Sequence, residues 1–391
     1  MAFIAWVLFL ISMIQLNLMN GGGQFDVSER KHTVWFERVY GNLSHEVVEV
    51  DRRIGVSNQV VSSSSSSSSG GSSNNNNNNN SNSSSSSSSS SSGLVQLAVV
   101  TLVLNQGMYL REWIEFHRLM GVQLFVIFDD NSTDNTVGVL EHYISSGVVI
   151  LVHAKRSFTM CAERDPSNVW HLQALCQNAV FNYALSQLRG KVVWMCNFDV
   201  DEFLWTPEGG APLSLLLRTT YAGYDKIDIT SIVFGTNNIS HPITTTTATT
   251  TIDALVIDAY TRRALAGPYP RFTPYDGDRF GHKSLYRPGS VDGVGVHDAG
   301  CSSSSSSSGS CVVAKISPLS SDIRMNHYQY KSRAEQRLKS VLNGNPTIDI
   351  NPEKESVMNE VEDTSIRYII PALVQQLLLS SSSAYRVLRN I

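Results

Sequence analysis

The chain has 391 residues, with 30 Lys+Arg against 34 Asp+Glu for a formal charge of −4, and it is 42% hydrophobic and 16% charged. So balanced a charge argues against nucleic-acid binding through bulk electrostatics, while the apolar share is ample for a core. Serine and asparagine runs push the charged share below the typical ~25% and inflate the length, so the patterned region is one catalytic-sized domain from Leu94 onward. The five cysteines are Cys161, Cys176, Cys196, Cys301 and Cys311, and no C-x-x-C pair occurs among them, which argues against a structural zinc site. Cys301 and Cys311 bracket a serine run; they are either a small disulfide loop in an oxidising compartment or two unpaired thiols.

Residues 1–20 open with "MAFIAWVLFLISMIQLNLM", uncharged and apolar. As a helix this segment would span roughly 28 Å, close to the ~30 Å hydrocarbon core of a bilayer. It reads as a signal anchor or a cleaved signal peptide. The absence of a basic flank and of a small-x-small cleavage site favours the anchor. Arg30 and Lys31 are offset by Asp26 and Glu29, so charge does not fix its orientation. Residues 21–93 hold long Ser and Asn runs that cannot bury enough surface to offset ordering entropy, and they are expected to form a stem. Ser302–Ser308 and Thr244–Thr251 look like expanded surface loops, and Asn42 and Asn238 open glycosylation sequons.

The folded region begins with "LAVVTLVLN", a β-branched run that predicts a buried strand. "YLREWIEFHRLM" predicts an amphipathic helix with Leu110, Trp113, Ile114, Phe116 and His117 inward and Arg111, Glu112, Glu115 and Arg118 on its other faces. "QLFVIF" is a second strand ending at the loop "DDNSTDNT". "TVGVLEHYISSG" is a helix and "VVILVHA" a third strand. "HLQALCQNAVFNYALSQLRG" is a longer helix closed by Gly190, and "KVVWMCNF" is a fourth strand. Strands that alternate with helices and read as buried on both faces predict an α/β fold with a mostly parallel, doubly wound sheet. After Thr206, "YDKIDITSIVFG", "LVIDAYTRR", "GHKSLYRP" and "DIRMNHYQY" read as shorter strands and "SRAEQRLKSVLNG" as a helix, an α+β extension. The domain is expected over residues 94–345, with residues 346–391 adding helices.

Both "FDDNSTD" and "FDVDEFL" fall at strand carboxyl ends, where ligands bind in open α/β sheets. Asp199 and Asp201 flank one residue. In an extended backbone they would face the same way and could share one Mn²⁺ or Mg²⁺ ion bound to a diphosphate. A divalent cation would also compensate the three crowded carboxylates of Asp199, Asp201 and Glu202. The alternative is that a D-x-D triplet arises by chance.

"LVLNQGMYLREWIEFHRLMGVQLFVIFDDNSTDNT" followed by "WMCNFDVDEFLW" resembles the nucleotide-diphospho-sugar (GT-A) glycosyltransferases, and more narrowly glycosyltransferase family 92. "FGTNNISHP", "KSLYRP", "VH" and "NHYQYKSRAEQRLKS" follow in the family's order, so the resemblance covers about Leu97–Gly344 in patches. It implies metal-dependent, inverting transfer of a hexose, galactose foremost, from a UDP-sugar to a glycan acceptor, with no nucleic acid involved. It implies that Asp130, or Asp129, contacts the uridine. Asp199 would touch ribose and metal, and Asp201 would bind the metal. His297 or His327 would complete the metal shell, with His297 the first choice. Lys283 and Arg287 would meet diphosphate charge. The catalytic base would be Asp258, which stands where the family pattern carries a glutamate, or Glu202. A family member of this kind would be held by its N-terminal segment in a Golgi or other secretory-pathway membrane with its catalytic domain in the lumen, or be secreted.

Two departures stand out. The family pattern has Asn-Glu where this chain has Asn105-Gln106, and a glycine is missing before His241. Three rival readings follow. A haloacid-dehalogenase-type phosphatase also ends a strand in D-x-D, but its motif continues Gly-Thr and opens the domain. A non-catalytic glycan-binding relative would tolerate Gln106. A transferase of the same fold could use another UDP-sugar.

Overall fold

The protein is described by a computed structural model over residues 94–158, 161, 169–243, 254–264, 281–302, 311–342 and 352–380. The expected anchor, the stem, the Asn42 sequon and the Thr tract fall outside these residues. Among the described residues no helix is long and apolar enough to cross a membrane.

The first half follows the alternation of the sequence. Strand β1 (Val95–Val103) leads to α1 (Gly107–Leu119), then β2 (Leu124–Asp129), α2 (Thr136–Ser145), β3 (Val149–His153), the one-turn α3 (Ala154–Ser157), α4 (Val169–Leu188) and β4 (Val192–Asn197). Strands β3, β2, β1 and β4 lie side by side in parallel, with Val103 opposite Asp129 and Asp129 opposite His153. All six residues of β2 are buried, as continuous apolar runs in a covered parallel sheet must be. Gly190, with φ +74, turns the chain out of α4.

The second half threads the same sheet in other directions. Strand β5 (Glu202–Trp205), α5 (Leu213–Arg218), β6 (Lys226–Val233), α6 (Val256–Ala259) and β7 (Arg262–Arg263) are followed by β8 (His282–Tyr286), β9 (Val291–Val294), β10 (Ala299–Cys301), β11 (Val313–Ile316) and β12 (Arg324–His327). The chain closes with α7 (Arg333–Leu342), α8 (Pro352–Met358), β13 (Val361–Glu362) and α9 (Ile370–Leu379). Strand β8 inserts antiparallel between β4 and β6. Strand β12 lies parallel to β6 and antiparallel to β5, opposing His327 to Glu202. The order is β3-β2-β1-β4-β8-β6-β12-β5, with β11 on β6. The expected mostly parallel sheet with an α+β extension is present, and the later helices extend it.

One apolar core joins the halves. It runs from Trp113 and Phe116 of α1 through Phe203 and Trp205 of β5 to Leu373 and Leu377 of α9. Each fully buried side chain of this size contributes about 1.5–3 kcal/mol. Helix α1 is less amphipathic than its sequence suggests, because Glu112 and Glu115 are buried with its apolar face. Glu115 accepts from Tyr143 Oη at 2.9 Å and pairs with Arg118. Glu112 accepts the Val256 and Ile257 amides at 2.8 and 3.2 Å. That contact explains a second departure: "LVIDAYTRR", expected as a strand throughout, forms the short helix α6 with Glu112 at its amino end and is a strand only at Arg262–Arg263. Cys301 and Cys311 are disulfide-bonded, resolving that alternative. Cys161 and Cys176 form a second bridge that the spacing did not announce.

Candidate active site

The carboxyl ends of β1, β2 and β3 form one lip of the site. Asn105, at φ +55, follows β1, and its Oδ1 accepts the Thr133 amide at 2.7 Å. The Gly107 amide donates to Asp134 Oδ2 at 3.0 Å, and a Cβ at Gly107 would lie 2.8 Å from the Thr136 nitrogen. Only glycine permits that approach. Gln106, the departure from the family pattern, donates its amide to Thr136 Oγ1 at 3.0 Å and its side-chain amide to the Leu104 carbonyl. It serves the loop through its backbone, which any residue supplies. Asp129, buried at the end of β2, accepts the Ser132 amide at 3.1 Å and meets His153 Nδ1 at 3.4 Å. Asp130 follows it, its amide bonded to the Val103 carbonyl.

The other lip is the turn between β4 and β5. The chain turns at Asp199–Glu202: the Glu202 amide donates to the Asp199 carbonyl at 3.0 Å, with Val200 and Asp201 at the bend. The expectation that Asp199 and Asp201 face one way fails here, because the alternation of side chains holds only in an extended strand. The two carboxylates diverge. Asp199 takes Lys283 Nζ at 3.0 Å and Gln177 Nε2 at 3.3 Å. Asp201 lies 3.5 Å from His327 Nε2 and 3.7 Å from Lys339 Nζ.

Glu202 is fully buried and braced. Its Oε2 accepts the Asp199 amide at 2.9 Å and pairs with Lys283 at 3.1 Å, while its Oε1 faces His327 Nδ1 at 3.8 Å. The crowding of carboxylates thus has its answer within the chain. Lys283, itself only 2% exposed, bridges Asp199 and Glu202, and His327 and Lys339 serve Asp201. Burial opposes the charged form of each group. Nevertheless Lys339 and His327 hold the Asp201 carboxyl well below its ordinary range. The neighbouring Asp201 and Glu202 raise His327 above the usual imidazole value. Glu202 goes the other way, pushed up by burial against the pull of Lys283.

Lys283 and Arg287, read together from "KSLYRP", do not stay together. Strand β8 runs antiparallel to β4, pairing Cys196 with Leu285 and Met195 with Tyr286. Lys283 therefore reaches the carboxyl end of β4. Arg287, four residues on and roughly 13 Å further along an extended strand, lies toward the other end. There it stacks at 4.4 Å on Trp194 and donates to the Ala222 and Tyr224 carbonyls. Its guanidinium is committed to the scaffold.

The two histidines take different partners at the same end of the sheet, and His297 still feels the charges of Asp199 and His327. His327 stands against Asp201. His297 lines a small cleft with Lys283, Asn197 and Asp298, where burial and the Lys283 charge push it down to about 4. Asp258, on α6, is half exposed and paired with Arg367 at 2.8 Å. Of the two carboxylates considered as base, it is the one that solvent reaches.

Asp201 and His327 offer an oxygen and a nitrogen 3.5 Å apart. Neighbouring ligands about 2.1 Å from one octahedral ion stand roughly 3 Å apart, so the pair fits a divalent cation. Asp199, engaged by Lys283, is not grouped with them. A cation there would have to displace any proton on His327. A grouping missed in the sequence brings donor atoms of Asp228, His282 and Asp298 within 4.8 Å of one another. Lys226 already pairs there with both carboxylates, at 3.2 and 2.7 Å.

The sequence model described as glycosyltransferase family 92 matches residues 99–369. A family 92 protein of Ricinus communis is 31% identical over 114 residues, 29% of this chain and 18% of the relative. One of Arabidopsis thaliana is 28% identical over 137 residues, 34% of this chain and 21% of the relative. The chain thus spans about a fifth of the length of these curated relatives. Among solved structures, Staphylococcus aureus TarS in complex with UDP aligns at 14% identity and a TM-score of 0.25, over 49% of this chain and 47% of that one. Glucosyl-3-phosphoglycerate synthase of Mycobacterium tuberculosis, in complex with Mn²⁺, UDP and glucosyl-3-phosphoglycerate, aligns at 18% and 0.22, over 36% and 44%. Likenesses this slight carry no argument about the site.

Proposed function

Because the chain belongs to glycosyltransferase family 92 and is therefore a glycosyltransferase, we propose that it transfers a hexose, galactose foremost, from a UDP-sugar to a glycan acceptor with inversion. The observation that carries this reading is the convergence at the strand ends. An ionised Asp201 beside His327 lies beyond the carboxyl end of β4, in the sheet whose other parallel strands end at Val103, Asp129 and His153. The GT-A fold expected from the sequence accords with the sheet order.

In this reading Asp129 and Asp130 meet the uridine, Asp201 and His327 would hold Mn²⁺ or Mg²⁺, and Asp199 would reach the ribose and the cation on leaving Lys283. When bound, the cation supplies Lewis-acid stabilisation of the departing diphosphate. Lys283 keeps Asp199 and Glu202 compensated and brings its own charge to the diphosphate side. Asp258 takes the acceptor hydroxyl proton as the sugar C1–O bond to phosphate breaks and the new C1–O bond forms. Glu202 orients the turn. Two disulfides suit an oxidising secretory lumen, with the N-terminal segment as membrane anchor.

The test is calorimetric titration of the full-length protein with UDP, with and without Mn²⁺, beside turnover of several UDP-sugars. UDP binding strengthened by Mn²⁺, with UDP-galactose turned over fastest, supports the reading. Asp201→Asn is expected to lower kcat by about 100-fold or more, a loss of roughly 3 kcal/mol in transition-state stabilisation. Full turnover by that variant would remove the cation from Asp201.

A further inference from the structure

Three lysines are buried near the acidic turn or its neighbouring strands: Lys226, Lys283 and Lys331. Lys226 holds two carboxylates, Asp228 and Asp298, and Lys283 holds Asp199 and Glu202. Lys331 differs. It is 9% exposed, and its Nζ lies 4.2 Å above the Tyr109 ring. Among the described residues it has no hydrogen bond and no carboxylate within ion-pair distance. A buried ammonium without a hydrogen-bonded partner is costly, and the ring face offsets only part of that cost. Burial accordingly lowers its proton affinity, even with the charges of Asp201 and Glu335 nearby.

Its place in the chain points to what completes it. His327, Tyr328, Lys331 and Lys339 come from one continuous segment that wraps Asp201. His327 meets the Asp201 carboxylate, the Tyr328 amide donates to the Asp201 carbonyl at 2.7 Å, and Lys339 approaches Asp201 Oδ2. The Lys331 charge also acts on Asp201 and helps to keep it ionised. Lys331 is held in position by the start of α7. There Ser332 and Glu335 exchange hydrogen bonds of 3.0 and 3.3 Å between side chain and amide, and Glu335 also accepts from Tyr109 Oη. The ammonium is thus a fixed, incompletely partnered cation whose charge reaches the Asp201 carboxylate.

We propose that Lys331 is a donor-binding residue whose ammonium pairs with the diphosphate of the nucleotide. This rests on the UDP-sugar reading above. Lys339, exposed enough to swing, adds a second charge to the same anion.

The experiment compares wild type, Lys331→Met and Lys331→Arg as full-length proteins. UDP is titrated by calorimetry and uridine by ligand-observed NMR, with thermal melting as the folding check. Lys331→Met is expected to weaken UDP by about tenfold or more and leave uridine unchanged, with Lys331→Arg restoring most of the loss. Should Lys331→Met not fold, Lys331→Gln takes its place. UDP affinity within twofold of wild type overturns the proposal, and so does a parallel loss of UDP and uridine, which would mark a structural lysine. Wild type that binds no UDP overturns the nucleotide reading and this proposal together. Wild type that binds UDP no better than its Lys331 variants overturns this proposal alone.

Discussion

After β2, the Asp129 carboxylate is satisfied by its own surroundings: the Ser132 amide three residues on and His153 on the adjacent strand. After β4, the carboxylates of Asp199, Asp201 and Glu202 depend on groups far along the chain. Lys283 lies 84 residues beyond Asp199, and His327 and Lys339 come later still. Both regions end a parallel strand in acid, but only the first could be assembled by the first half of the domain. The second exists only when β8 has inserted beside β4 and β12 has paired with β5. The acidic turn is therefore a place where the extension holds the sheet together, as well as the place where chemistry is proposed.

Breaking the remote compensation should produce the largest effect. Lys283→Met leaves Asp199 and Glu202 crowded around an apolar side chain, with Glu202 1% exposed. Removing one partner from a buried ion pair costs about 3–5 kcal/mol, so denaturant unfolding should show a loss of that size. A loss below about 1 kcal/mol would mean that the turn tolerates its carboxylates without Lys283, and the contrast between the two regions would collapse.

A proton can test the same end of the sheet. His117 of α1 is fully buried. Its Nδ1 lies 2.9 Å from the Trp113 carbonyl, so Nδ1 carries the hydrogen and donates. Its Nε2 is then the acceptor for the Leu204 amide in β5, at 3.2 Å. A second proton would oppose that N–H, and burial pushes His117 down to about 4. The folded value lies below the unfolded value of about 6.5. The unfolded state therefore binds the proton first, and stability present above pH 6.5 is lost as pH falls toward 4. The loss should approach about 3 kcal/mol. His117→Gln should flatten this part of the pH–stability profile, and an unchanged slope would assign the acid sensitivity to other groups.

The difference between the regions also explains what could be read in advance. Strands β1–β4 and their helices follow local periodicity, and the acidic positions at their ends were legible with them. The direction of β8 was not. "KSLYRP" names Lys283 and Arg287 together, but only the antiparallel pairing with β4 sends the lysine to the acidic turn and the arginine to Trp194. The apolar run "LVIDAYTRR" reads as a strand. Its helix is capped by Glu112, 144 residues earlier, and no local pattern encodes so distant a cap. The turn at residues 199–202 was hidden by the run of strand-like residues on both sides. Lys283 carried no such local signal: it stands between His282 and Ser284, and only the pairing of β8 with β4 makes it the counter-ion of the acidic turn.

The smallest effect is expected in the local region. Asp129→Asn keeps an acceptor for the Ser132 amide and loses only the charge facing His153, which is partly exposed and 3.4 Å away. A contact of that kind is worth under about 1 kcal/mol. Equilibrium unfolding should therefore shift little, in contrast with Lys283→Met. If Asp129 faces the uridine, the same variant should weaken uridine and UDP by the same factor, because the change lies away from the diphosphate. A loss confined to UDP would place Asp129 nearer the phosphates. A destabilisation above about 2 kcal/mol would show that this strand end, too, carries charge that the surrounding loop does not satisfy.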